Sequence, residues 1–144
     1  MMTTCSSQLA AALEHANNGL PVFPCNPATK TPRISKWQEN ATTDPQTIAE
    51  WWRKLPNAMI GIPTGPRSGF LAVDSDVDHA KGLDGESALN ALGELPDTPT
   101  VLTPRGGKHR YFRYNPDNPV HNSASALAPG VDIRGAGGYV IGAG

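Results

Sequence analysis

Three acidic residues recur at intervals of two in the segment AVDSDVDHA, residues 72–80. They follow the apolar run SGFLAV, which is typical of a buried strand, and residues two apart on a strand share one face at a spacing of ~7 Å. Carboxylates in such a row repel one another unless a cation lies between them, and Mg²⁺ and Mn²⁺ prefer carboxylate oxygens. Asp74 and Asp76 are therefore candidate metal ligands, whereas Asp78 begins a turn. The alternative is a strand that simply ends in solvent.

A second candidate segment is RGGKHRYF, residues 105–112. Gly106 and Gly107 let the backbone approach a ligand closely and donate N–H groups to it. His109 begins the strand that follows, and strand alternation places it on the same face as Tyr111. The segment is the most basic part of the chain, with cations at Arg105, Lys108, Arg110 and Arg113. This combination suits the phosphates of a nucleotide or a nucleic acid; the alternatives are a tight hairpin with solvated cations and a core histidine.

The third segment is GVDIRGAGGYV, residues 130–140. Asp132 and Arg134 share one strand face, with Val131 and Ile133 on the other. A same-face Asp and Arg most often form a structural ion pair. The alternative is that Asp132 joins a metal site and Arg134 meets a phosphate, and the neighbouring glycines leave space for a ligand.

The elements that must position these segments are short, and strands outnumber helices. Capping signals and helical spacing predict three helices, at about residues 6–16, 43–55 and 82–96. Seven strands are predicted, at about residues 20–25, 58–65, 68–76, 98–104, 109–115, 130–135 and 137–144. This order predicts a single α+β domain over residues 1–144, with a mostly antiparallel or mixed sheet and flanking helices.

Helical spacing also predicts which side chains of these helices are buried. In the second helix it puts Trp51 on the apolar stripe with Ile48 and leaves Trp52 free to face solvent. In the third helix Leu89, Leu92 and Leu95 are expected to point inward.

Composition limits the classes of function. The net charge of -1 gives no overall basic field that would attract nucleic acid, although cations still cluster locally. Two cysteines, Cys5 and Cys25, form neither a disulfide framework nor a zinc pattern, which favours free thiols in a reducing compartment. The N-terminus lacks the basic and apolar regions of a signal peptide, and no run approaches the ~18 apolar residues of a membrane span. We therefore expect a cytoplasmic protein that does not contact a membrane.

Read together, five blocks of sequence resemble the N-terminal domain of bifunctional DNA primase/polymerases, the prim-pol domain of the archaeo-eukaryotic primase superfamily. The blocks are GLPVFPCNPATKTPRISKWQENATTD, IAEWW, IGIPTGPRSGFLAVDSD, TPTVLTPRGGKHRYF and GVDIRGAGGYV. The resemblance runs from about Ala10 to the last residue. It implies an RRM-like palm core, and because the family usually continues past the GGYV strand, we expect a C-terminally truncated domain from the N-terminal part of a longer protein.

The resemblance also assigns the metal ligands. The family's D-x-D motif falls on Asp74 and Asp76, and its apolar-Asp motif falls on Val131 and Asp132. In the family these carboxylates hold two divalent ions, Mg²⁺ or Mn²⁺, so the resemblance implies that Asp74, Asp76 and Asp132 do so here.

The family's small-x-His motif contacts the phosphates of the incoming nucleotide and falls on Gly107-Lys108-His109. Arg105 stands where the family often has a serine, so a hydroxyl donor is lost and a cation is gained. The resemblance thus implies His109 as a catalytic residue and a nucleotide-binding set made of Arg105, Gly106, Gly107, Lys108, His109 and Arg134.

The implied function is template-dependent nucleotidyl transfer, with single-stranded DNA as template and dNTPs or NTPs as substrates. Template or nucleotide contacts are expected at Lys30, Lys36 and Trp37. The family context suggests replication of a plasmid, phage or prophage element, with a helicase module in the same or another chain. Two alternatives stay open: a non-catalytic nucleotide- or DNA-binding remnant, and a metal-dependent phosphodiesterase that uses the same residues with water as the nucleophile.

Overall fold

The computed structural model describes residues 7–93, 98–102 and 106–142. Within these residues the helices are α1 (Ser7–Asn17), α2 (Trp37–Asn40), α3 (Pro45–Lys54) and α4 (Gly85–Asn90). The strands are β1 (Phe23–Cys25), β2 (Met59–Pro63), β3 (Phe70–Ser75), β4 (Val77–Asp78), β5 (Leu83–Asp84), β6 (Thr100–Leu102), β7 (Lys108–Arg113), β8 (Ser123–Ala128), β9 (Val131–Arg134) and β10 (Tyr139–Ile141). The strand pairs between these elements are antiparallel, and the helices are few, which confirms the predicted α+β class. No helix of the described residues is both long enough and apolar enough to cross a bilayer.

The chain divides into two compact units. The first comprises Met1–Pro63 and Tyr139–Gly144, and the second comprises Thr64–Gly138. The first unit contains a three-stranded sheet in the order β1-β2-β10, together with α1, α2 and α3. Its Cys25 is a free, buried thiol, and burial raises its pKa to about 12.

Helix α3 shows how local sequence builds the first unit. Asp44 caps the helix: its carboxylate accepts a hydrogen bond from the Thr47 N–H at 3.2 Å, and Pro45 occupies the first turn. Ile48 and Trp52 are the buried residues of the helix, whereas Trp51 remains partly exposed. Trp52, which the sequence left free to face solvent, is thus the more buried of the two tryptophans. The Trp52 indole N–H donates to the Ala58 carbonyl at 3.0 Å, so this ring is buried with its polar atom satisfied.

The second unit is built on a five-stranded sheet in the order β6-β7-β3-β9-β8. Helix α4 covers one face of this sheet, which we call the helix face: Leu89 of α4 packs with Val73 of β3 and Val131 of β9 in one apolar cluster. Leu92 is 57% exposed rather than inward, because α4 ends at Asn90 and Gly93 follows with a φ of 122°. Leu95 lies outside the residues that the structure describes. The opposite face, which carries Asp74, His109 and Asp132, is called the site face.

Candidate functional site

The centre of the site face is a row of three residues from three neighbouring strands. Asp74 of β3 lies directly opposite His109 of β7 on one side and directly opposite Asp132 of β9 on the other. Directly opposed residues of antiparallel strands project to the same face, with their Cβ atoms ~5 Å apart. Sheet pairing therefore brings together three residues that lie in three separate segments of the sequence.

Arg134 lies between the two carboxylates of this row. Its Nη2 atom lies 3.4 Å from Asp132 Oδ2 and 3.9 Å from Asp74 Oδ2. On the other side, His109 Nε2 lies 3.3 Å from Asp74 Oδ1. The ion pair expected between Asp132 and Arg134 is thus present, and the same guanidinium offsets the repulsion between Asp74 and Asp132. The four side chains remain 20–34% exposed, so a dissolved ligand can reach them.

Aromatic side chains continue the site face beyond His109. Tyr111 lies edge-on to His109, with 6.5 Å between ring centroids, and edge-on to Phe70 at 5.4 Å. Burial, and then the negative charge of Asp74, raise the pKa of the Tyr111 hydroxyl. Tyr111 therefore stays neutral at physiological pH and offers this face a hydroxyl and an aromatic ring.

Asp76 follows the last residue of β3, and its backbone is held on both sides. Its N–H donates to the Gly130 carbonyl at 2.8 Å, and its carbonyl accepts from the Gly85 N–H at 2.7 Å. Asp78 lies two residues further on, where its carboxylate accepts the Ala80 N–H at 3.2 Å, as expected of a turn residue. The end of β3, which carries the predicted D-x-D motif, is therefore hydrogen-bonded to Gly130, just before β9, and to Gly85, at the start of α4.

The basic segment before and within β7 divides between the two faces of the sheet. Gly106 has a φ of 91°, which favours glycine, and Gly107 is buried. Lys108 does not lie beside His109 on the site face: its Nζ atom lies 3.4 Å from Glu86 Oε1 on the helix face. Arg105 lies outside the described residues.

Glu86 is a polar residue of this region that the sequence patterns did not single out. Its carboxylate contacts Lys108, Arg110 and Ser75 under α4. Hydrogen bonds from Arg110 are the main cause that lowers the pKa of Glu86 from 4.5 to about 2. Strand alternation could have indicated an acidic partner on the helix face, because it points Lys108 and Arg110 away from the face that carries His109.

The three residues expected to contact the template lie in the first unit. Lys30 and Lys36 are exposed and have positive φ values, of 61° and 50°. Trp37 is half-buried and stacks on Phe23 with 4.9 Å between ring centroids, and it meets Tyr139 edge-on at 5.0 Å. Only the part of the indole that stays exposed is available to a ligand.

The donor groups of the site face include two carboxylates and an imidazole, which are groups that can bind a divalent ion. Among residues 7–93, 98–102 and 106–142, no group of three or more His, Cys, Asp or Glu side chains is arranged to hold a metal ion. Mg²⁺, however, is usually bound by one or two carboxylates together with substrate phosphates and water, rather than by an all-protein cage. The carboxylates of Asp74 and Asp132, side by side and partly exposed, fit that mode of binding.

Comparison with known proteins adds one positive finding. The family model described as bifunctional DNA primase/polymerase, N-terminal (Prim-Pol), matches residues 12–144. No curated protein shows significant sequence similarity to the chain. The matched region includes every residue of the row and the whole of both compact units from residue 12 onward.

Proposed function

The chain belongs to the family of bifunctional DNA primase/polymerase N-terminal domains, and on this basis we propose that it performs template-dependent nucleotidyl transfer on single-stranded DNA. The observation that carries the proposal is the row on the site face, in which Asp74 is flanked in register by His109 and Asp132. Family membership supports DNA and nucleoside triphosphates as substrates. The row supplies the carboxylates and the imidazole that this chemistry uses, and Arg134 beside it supplies a cation.

In nucleotidyl transfer the 3′-hydroxyl oxygen attacks the α-phosphorus of a nucleoside triphosphate, and the bond to the bridging oxygen breaks as pyrophosphate leaves. Asp74, Asp76 and Asp132 are the residues that would hold Mg²⁺ or Mn²⁺. A pair of such ions, when bound, makes the hydroxyl a stronger nucleophile and neutralises the leaving pyrophosphate.

The remaining side chains of the site face bind the triphosphate. His109 and Arg134 donate hydrogen bonds to phosphate oxygens, and charge-assisted bonds of this kind are stronger than neutral ones. Gly106 and Gly107, before β7, allow close approach of the backbone. Arg105 belongs to the same proposed nucleotide-binding set. Lys108 was predicted to belong to it as well, but its Nζ atom contacts Glu86 on the helix face, away from His109.

The first unit is proposed to contribute to binding of the template or the nucleotide. Lys30 and Lys36 would contact phosphates, and the exposed part of Trp37 would contact a base. The family context extends the proposal to replication of a plasmid, phage or prophage element, alongside a helicase module in the same or another chain.

The test is synthesis on an unprimed single-stranded DNA template with Mn²⁺ or Mg²⁺ and nucleoside triphosphates. Asp74→Asn and Asp132→Asn are expected to lower the rate at least about a hundredfold, because each removes a negative charge aimed at the reacting groups. Asp78→Asn is the matched control: it removes the same charge at a turn and keeps an oxygen that accepts the Ala80 N–H. Its rate should stay within about twofold of the unmodified chain.

Three outcomes would contradict the proposal. Synthesis that survives both site substitutions would show that these carboxylates are not the ligands. Binding of nucleoside triphosphate without any synthesis would favour a non-catalytic binding module. Release of mononucleotides from DNA without synthesis would favour a phosphodiesterase.

A further inference from the structure

A cluster of charged and polar side chains lies on the helix face, on the other side of the sheet from the row of Asp74, His109 and Asp132. Glu86 of α4 accepts two hydrogen bonds from the Arg110 guanidinium, at 2.7 and 2.8 Å, and a third from the Ser75 hydroxyl. Lys108 Nζ lies 3.4 Å from the same carboxylate. The Glu86 and Arg110 side chains are only 16% and 13% exposed, so the pair is largely removed from water.

Stability alone is a weak reason for such a cluster. Removing charges from water costs free energy, and an apolar replacement of similar volume is often equally stable. The surrounding helix face is in fact apolar, with Val73, Leu89 and Val131 packed together. An ion pair differs from an apolar contact in that it fixes the relative orientation of its partners, because a bidentate Arg–carboxylate pair has one preferred geometry.

The residues that Glu86 holds are the sequence neighbours of the site residues. Ser75 stands between Asp74 and Asp76, and Lys108 and Arg110 stand on either side of His109. On a strand, consecutive side chains point to opposite faces. A contact that fixes Ser75, Lys108 and Arg110 on the helix face therefore also fixes the backbone from which Asp74 and His109 project on the site face.

The backbone at the start of α4 makes a second connection to the same strand end. Gly85, which precedes Glu86, donates its N–H to the Asp76 carbonyl at 2.7 Å, and Asp76 donates its own N–H to the Gly130 carbonyl at 2.8 Å. A Cβ at position 85 would lie 2.8 Å from the Asp76 carbonyl oxygen and would also meet the Gly130 carbonyl. The first turn of α4 thus approaches Asp76 as closely as a residue without a side chain allows.

We infer that Glu86 is a positioning residue of the nucleotidyl-transfer site. It touches neither substrate nor metal, and it acts by holding β3 and β7 so that Asp74, Asp76 and His109 keep the relative geometry that a metal-bound triphosphate requires. The inference rests on the proposed function. Sites of this kind tolerate displacements of only ~0.5 Å, and a misplacement of ~1 Å can cost about a hundredfold in rate.

The experiment compares Glu86→Gln with Leu89→Ala. Glu86→Gln keeps the volume but loses the charge and one of the oxygens that accept from Arg110. Leu89 lies on the same helix, one turn away, and Leu89→Ala removes a buried side chain of the apolar cluster. This variant therefore destabilises the same interface and leaves the Glu86 carboxylate in place to contact Ser75, Lys108 and Arg110. Urea unfolding measures the stability of each variant, and further assays use a temperature at which each is fully folded.

The decisive readout is calorimetric binding of Mn²⁺ with a non-hydrolysable nucleoside triphosphate, together with the separate kcat and KM of synthesis. Glu86→Gln is expected to weaken binding about tenfold and to lower kcat, whereas Leu89→Ala binds as the unmodified chain does even where it is the less stable variant. The backbone amide NMR shift of His109 should move in Glu86→Gln and much less in Leu89→Ala, because Glu86 contacts both strand neighbours of His109 whereas Leu89 packs on Val73 and Val131. This shift is measured in the free protein, so it does not depend on activity.

If Glu86→Gln does not fold, Ser75→Ala replaces it, because this variant keeps the Glu86–Arg110 pair and removes the hydroxyl that links β3 to Glu86, to Arg110 at 3.4 Å and to the Lys108 carbonyl at 3.3 Å. A loss of about threefold in binding is then expected. Equal binding by the substituted and unmodified chains would overturn the positioning role and leave the proposed function intact. Failure of the unmodified chain to bind the Mn²⁺-nucleotide would instead overturn the proposed function, and the positioning role with it.

Discussion

Arg134→Gln is expected to change the binding of free Mn²⁺ and of nucleotide in opposite directions. In the structure the guanidinium is the cation that lies between Asp74 and Asp132, at 3.9 and 3.4 Å from their nearest oxygens. A divalent ion that binds the same carboxylates must compete with it. Removing the charge therefore strengthens binding of the ion alone, while it removes a proposed phosphate ligand.

The magnitude follows from the two distances. At the dielectric constant of water, unit charges 3.4 and 3.9 Å apart attract by about 1 kcal/mol each. The side chains are 20–34% exposed, and measured pairs at such positions contribute about 0.2–1 kcal/mol. A combined ~1 kcal/mol corresponds to roughly fivefold tighter Mn²⁺ binding. Loss of one hydrogen bond between a charged donor and phosphate, worth about 1.5–3 kcal/mol, weakens nucleotide binding by at least about tenfold.

The assay is calorimetry or Mn²⁺ electron paramagnetic resonance, carried out first with Mn²⁺ alone and then with Mn²⁺ and a non-hydrolysable nucleoside triphosphate. Arg113→Gln is the matched control, because it makes the same change of net charge on the same sheet. Arg113 is exposed and lies opposite Phe70, four residues beyond His109 on β7. That is ~13 Å along the strand, beyond the Debye length of about 8–10 Å, so both affinities should be almost unchanged.

The opposite signs make the prediction easy to refute. General damage to the fold would weaken the binding of both Mn²⁺ and nucleotide. An effect of net charge alone would change both affinities equally in Arg113→Gln and in Arg134→Gln. If Arg134→Gln binds free Mn²⁺ no more tightly than the unmodified chain, Arg134 does not compete with the ion for Asp74 and Asp132. If its nucleotide affinity is unchanged, Arg134 is not a phosphate ligand.

Three further predictions concern stability. The pKa of Glu86 is lowered from 4.5 to about 2, so the contribution of its charge to the free energy of unfolding is complete above about pH 4.5 and is lost as pH falls through about 2. Between pH 6 and pH 3, urea unfolding should therefore show a loss of stability of up to about 2 kcal/mol that is absent in Glu86→Gln. Gly85→Ala should cost about 1–3 kcal/mol in the same assay, because its Cβ would clash with the Gly130 carbonyl and lie 2.8 Å from the Asp76 carbonyl oxygen, and an unchanged midpoint would refute this close approach. Trp52→Phe should cost about 1–3 kcal/mol, because it leaves the Ala58 carbonyl without the indole N–H that now donates at 3.0 Å, whereas Trp51→Phe at the partly exposed neighbour should cost less.

The fold class and the strands of the site were accessible from the sequence because both rest on local patterns. Alternation and turn residues place Asp74, His109 and Asp132 on separate strands, and the frequency of short strands indicates an α+β fold. The pairing that makes Asp74 the shared neighbour of His109 and Asp132 was not accessible, because the register of strands far apart in sequence depends on the tertiary structure.

The side chains that were misplaced show where local patterns stop being informative. Trp51 and Trp52 are both compatible with the apolar stripe of α3. Trp52 is the buried one, and its indole N–H is satisfied by the carbonyl of Ala58, six residues further along the chain. Leu92 continues a helical repeat from Leu89, yet the helix has already ended at Asn90. Burial therefore depends on features outside the repeat: a hydrogen bond to Ala58 in α3, and the position at which α4 ends.

The two faces of the second unit's sheet explain how a short, nearly neutral domain can concentrate charge at one site. β7 carries Lys108, His109 and Arg110 in succession, and alternation sends the two cations to Glu86 on the helix face and the imidazole to Asp74 on the site face. Since Lys108 and His109 cannot share a face while β7 stays paired, the cation nearest the carboxylates of Asp74 and Asp132 comes from another strand, as Arg134 of β9. Lys108 and Arg110 thus stabilise the back of the sheet, and the carboxylates of Asp74 and Asp132 are left with Arg134 as the cation between them, in the place that a metal ion would take.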